Sequence, residues 1–79
     1  MQEIKKALNQ VDIPYADIHV IDSNTWQITL NGNEQVIIST NKDISQQIAS
    51  LQLITTRLTM EGKRFSRLDL RYDQPVLSE

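Results

Sequence analysis

The sequence predicts a two-layer α+β domain: helix, three-strand antiparallel meander, helix, strand, with the helices packed on one face of the sheet. Three observations predict it. Trp26, Ile28 and Leu30 alternate with Thr25, Gln27 and Thr29, the period-two pattern of a strand buried on one side. Ile44, Ile48, Leu51, Ile54 and Leu58 recur at three- and four-residue spacing, the stripe of a long amphipathic helix. After Gly62, alternation returns in Leu68, Leu70 and Tyr72. A sheet with one apolar face and a helix with one apolar stripe satisfy each other by packing together.

Each element has its own signal. Residues 2–11 carry Ile4, Ala7, Leu8 and Val11 on one helical face, and Pro14 stops that helix near residue 12. Residues 16–22 read as a strand, with Ile18 and Val20 facing one way and Asp17 and His19 the other. Ser23-Asn24 is a tight turn, and the second strand covers 25–30. Asn31-Gly32-Asn33 then marks a hairpin, because Asn-Gly tolerates positive φ at both central positions. The third strand covers 34–40, with Val36 and Ile38 inward and Ile37 outward.

Asp43 caps the long helix, with Gln46 three positions later as in a capping box. Gly62 ends it through a left-handed cap. The last strand runs over roughly 64–72, with Leu68, Leu70 and Tyr72 inward and Phe65, Arg67, Asp69 and Arg71 outward. Pro75 bends or ends it, and Val76 and Leu77 offer the start of one more short strand. The crossover through the long helix makes the last strand parallel to the third or the first.

The chain of 79 residues is read as one domain, 1–79. At this size only about two-thirds of the unfolded surface is buried. With no cysteine, no disulfide or thiolate metal site can add to stability. The net charge of −2 creates no global basic field for nucleic acid. No apolar run approaches the roughly 18 residues that span a bilayer, and the lysines near the N-terminus are not followed by the apolar stretch of a signal peptide. The expectation is a soluble chain, with any membrane attachment supplied by a segment outside it.

Catalytic chemistry finds no foothold. His19 is the single histidine and lies on the outer side of its strand, without an orienting partner or a nucleophile. The carboxylates are scattered rather than convergent, so no metal is expected. Asp69 and Asp73 would stand about 13 Å apart along a strand, too far for a glycosidase pair; Asp69 pairs instead with Arg67 or Arg71. No phosphate-binding glycine motif is present. The reading is a protein that is not an enzyme and uses no cofactor or small-molecule substrate.

Two surfaces invite partners. Lys63, Arg64, Arg67 and Arg71, with Phe65 and Tyr72 for stacking, sketch a nucleic-acid surface over 63–71, but Glu61, Asp69 and Asp73 interrupt it and favour a salt-bridged strand face. Ile21, Ile37 and Phe65 all fall on outward positions. Either the first helix covers them, or they form a contact patch for another chain, such as a second copy in a homodimer.

The segments ISQQIASLQLITTRL and GKRFSRLDLRYDQPV, together with NTWQITLNGNEQVIIS, resemble the C-terminal part of the extracytoplasmic β-domain of the FtsQ/DivIB family of bacterial cell-division proteins. The resemblance spans roughly residues 14–77. It implies a divisome scaffold on the outer face of the bacterial cytoplasmic membrane that binds FtsB/FtsL-like partners through its C-terminal edge. Carried over to this chain, the partner-binding residues are Tyr72, Gln74, Pro75, Val76 and Leu77. A terminal edge strand with unpaired backbone groups can accept another strand. The chain departs from the family in having Pro75, where glycine is common, and no transmembrane segment or membrane-proximal domain.

Overall fold

The structure is a computed structural model that describes residues 2–72 and 74–78, and only the backbone of Gln2 and Glu3. Asp73, and with it the spacing between Asp69 and Asp73, lies outside the described residues. In chain order the elements are α1 (Gln2–Gln10), β1 (Tyr15–Asp22), β2 (Thr25–Leu30), β3 (Gln35–Ser39), α2 (Ile44–Glu61), β4 (Arg67–Asp69) and β5 (Val76–Ser78). The sheet order is β1-β2-β3-β4-β5. All pairs are antiparallel except β3 with β4, which the α2 crossover makes parallel. The class is therefore α+β, and the last strand chose the third as its neighbour.

Both helices lie on one face of the sheet and share one core. Ile4, Ala7 and Leu8 of α1 and Ile48 and Leu51 of α2 join Ile28, Leu30, Val36, Ile38, Leu68 and Leu70 in a single buried cluster. The α2 stripe is the one its spacing predicts, with Ile44, Ile54 and Leu58 packed at the margin. Asp43 caps α2 by accepting a hydrogen bond from the Gln46 amide at 3.2 Å. Gln47, unremarked in the sequence, ties this end of α2 to β3. Its side chain donates to the Ser39 carbonyl and accepts from the Ser39 amide, both at 2.8 Å.

The two helices end alike. In α2, Gly62 adopts φ 70° while the Gly62 and Lys63 amides donate to Thr59 and Leu58. In α1, Asp12 takes φ 56° while the Asp12 and Ile13 amides donate to Asn9 and Leu8. This is one C-terminal motif built once on glycine and once on aspartate, a residue whose short polar side chain tolerates the left-handed region. At the β2–β3 turn the left-handed residue is Asn33 (φ 70°), not Gly32. Leu30 accepts from the Asn33 amide and donates to Glu34 O, which makes a three-residue loop with a final left-handed position rather than the tighter Asn-Gly turn.

Several inward and outward assignments change. Val20, on the same strand face as Ile18, is 48% exposed and pairs with half-buried Trp26. Ile37 faces the outer side yet is 1% exposed. It sits in the central strand, flanked in register by half-buried Gln27 and buried Asp69. The strand expected over 64–72 is only Arg67–Asp69. A bend at Ser66 breaks the alternation behind it, so Phe65 turns into the core. A bend at Arg71 and Tyr72 breaks it ahead, so Tyr72 turns out of the core. The proposed patch of Ile21, Ile37 and Phe65 therefore does not exist as a surface: two of its members are buried, and Ile21 alone is exposed.

Candidate functional site

The C-terminal edge is built on the Asp69-Leu70-Arg71-Tyr72 run. Asp69 and Arg71 are two residues apart, so extended backbone places both on one side while Leu70 enters the core. The Asp69 carboxylate accepts from the Arg71 guanidinium in a fork, with Nε at 2.9 and 3.1 Å and Nη2 at 2.6 Å. It also accepts from the Arg71 amide at 3.0 Å, which bends the chain just past β4. Of the two arginines the sequence left open, Arg71 is thus the partner. The guanidinium then stands 5.4 Å from the centroid of the Tyr72 ring, in cation–π range.

Electrostatics follow from that geometry. The hydrogen bonds from the Arg71 side chain hold the Asp69 carboxyl below the ordinary aspartate range, against an opposing push from burial. The same pairing raises Arg71 above its usual value. A fork of this kind is stronger and more directional than a neutral bond. Its consequence is positional: a buried carboxylate fixes an arginine, and the arginine stands against the Tyr72 ring.

Tyr72 is 58% exposed, Val76 52% and Leu77 39%, while Gln74 and Pro75 lie at the surface between them. All five residues carried over from the family resemblance thus fall in one stretch at one end of the sheet. The register sets Val76 beside Asp69 and Leu77 beside Leu68. Val76 therefore lies on the outer face and Leu77 on the helix side. The edge strand is β5, because β5 already covers the far side of β4. A groove of about 190 Å³ opens between this edge and the start of α2, walled by Gln46, Gln47, Ser50, Leu70, Tyr72 and Pro75.

The other candidate surfaces fare differently. The 63–71 segment loses one of its two stacking rings, since Phe65 is in the core while Tyr72 stays exposed, and Arg71 is paired with Asp69. His19 lies exposed on the outer face of β1. Among the described residues no group of histidines and carboxylates could hold a metal ion, and no helix is long and apolar enough to cross a membrane. Gln47 and the support of Tyr72 by Arg71 are the features sequence reasoning did not reach. The first had no periodic signal; the second was foreshadowed only by the Asp-x-Arg spacing. Compared with protein-family models and with curated proteins, the chain matches none of them.

Proposed function

We propose that this chain is a non-enzymatic interaction domain of the FtsQ/DivIB kind, which holds an FtsB/FtsL-like partner by adding a strand to β5. One observation carries the reading. The sheet ends in a short bare edge strand whose exposed apolar residues, Val76 and Leu77, adjoin a tyrosine held in place by the Asp69–Arg71 fork. Main-chain bonds along such an edge supply affinity, and side chains beside it supply selectivity. Tyr72 is the natural anchor, being large, amphipathic and already ordered, so little freedom is lost when a partner covers it.

In this reading the domain works by recruitment. It sits on the outer side of a bacterial cytoplasmic membrane, anchored through a segment outside this chain, and passes no chemistry to its partner. A pull-down with an immobilised FtsB-like peptide tests it. The chain should be retained, and a Tyr72→Ala, Val76→Lys double variant that still folds should be released. Equal retention of both, or of neither, contradicts the proposal.

A further inference from the structure

Backbone direction along β5 can be worked out from the bonds of β4. The Leu70 amide donates to Ile37 O at 2.8 Å, and Ser66 O accepts from the Gln35 amide at 3.0 Å. These bonds flank β4 on both sides, so Leu68 between them turns its backbone groups toward β3. Alternation then turns those of Arg67 and Asp69 toward β5. Their register partners are Ser78 and Val76, so these two residues spend their N–H and C=O groups on β4. Ser78 O also accepts from the amide of Ser66, at the bend before β4, at 2.9 Å, so Ser78 O faces β4. Leu77, between them, presents both its N–H and its C=O to the outside.

The next outward position back along the chain is Pro75. Proline has a carbonyl but no amide hydrogen. A strand laid against β5 therefore makes a full pair of bonds at Leu77 and, one step along, finds an acceptor without a donor. Whether the incoming strand is parallel or antiparallel, one of its carbonyls beside Pro75 goes unpaired, and an unpaired carbonyl removed from water is costly. We propose that Pro75 and Leu77 together set the register and the length of the added strand. The segment selected is short and extended, pairs fully opposite Leu77, and leaves the sheet at Pro75. This rests on the strand-addition reading and states what that edge selects.

Two measurements on the full chain test it. In the free protein, amide hydrogen exchange should show Val76 and Ser78 protected and Leu77 exchanging at close to the rate of an unstructured peptide. Protection of Leu77 with an open Val76 would overturn the assignment whatever the partner. The second measurement is calorimetric titration with an FtsB-like peptide. Leu77→Pro removes an outward N–H that the fold does not use, so it should keep the native amide pattern and weaken binding more than tenfold. Pro75→Ala restores a donor and should tighten binding roughly fivefold, the worth of about one hydrogen bond. Peptide binding that ignores both substitutions overturns the register claim alone. Absence of binding by the parent chain overturns the strand-addition reading on which it rests. If Leu77→Pro does not fold, as loss of a side chain beside buried Leu68 could cause, the Leu77 exchange rate and the Pro75→Ala titration carry the test, and failure of either overturns the proposal.

Discussion

The two edges of this sheet carry opposite instructions. β1 is the longer, eight residues against three in β5, and length alone would make it the more adhesive. Its register slips twice, however, between Tyr15 and Asp17 and again between Val20 and Asp22. Each slip leaves an extra residue, Ala16 or Ile21, and twists the strand away from a flat template. Asp17, His19 and Asp22 add charged or titratable groups along it. These are the usual devices that keep an edge from pairing. β5 has a regular register and no charge among its three residues, and it is limited by shortness and by Pro75. One edge is guarded along its length, while the other is left open over a single stretch.

Substitutions can break or sharpen that contrast. The largest effect belongs to Leu68, which is fully buried in β4, the strand on which β5 lies. Leu68→Ala should destabilise the fold by about 2–5 kcal/mol, measured by urea unfolding. Hydrogen exchange should show β5 released before β1. Equal loosening of both edges would mean that β5 does not depend on β4 in this way.

Next comes Asp69→Asn, which keeps the shape of the side chain but removes its charge. A loss of about 1–3 kcal/mol is expected from a part-buried fork broken on one side. The pH dependence has a definite sign. The folded carboxyl titrates below its unfolded value, so the fork's contribution is complete above the ordinary aspartate range and is lost as the pH falls through the lowered folded value. The stability gap between parent and variant should therefore close on acidification. A gap that stays constant into strong acid would contradict the charge-assisted pairing.

Much of the fold could be read from the chain because its signals are long. Six residues of alternation in β2 and eighteen of helical spacing in α2 leave little choice of face. The C-terminal quarter misled for the opposite reason. A strand of three residues is shorter than the pattern used to recognise it, so alternation was carried across two bends. Phe65 and Tyr72 lie beyond those bends, and each takes the side opposite to the one alternation predicts. Ile37 is a different case. It lies on the outer face as its parity predicts, but the burial of an outer-face position in a central strand leaves no trace in periodicity. At the edge itself, Tyr72, Gln74, Pro75, Val76 and Leu77 came from resemblance, whereas the support beneath Tyr72 depends on bond geometry that spacing only hinted at.

Smaller effects refine the account of β1. Deleting Ala16 would remove the first register slip and leave a flatter edge. Sedimentation at matched concentrations should then show larger species than the parent forms, because an unguarded strand recruits its like. Unchanged sedimentation would show that the slip does not protect this edge. Val20→Lys, at an exposed position on the same strand, should change stability by no more than about 0.5 kcal/mol, readable as a small shift in thermal midpoint.

The most direct measurement is a titration of the isotope-labelled chain with an FtsB-like peptide, followed amide by amide. Shifts concentrated at Tyr72, Val76 and Leu77, with Asp17 to Asp22 unmoved, are the predicted result. Shifts along β1, or at other residues while Tyr72 and Val76 stay still, would contradict the claim that the C-terminal margin is where this domain takes hold of its partner.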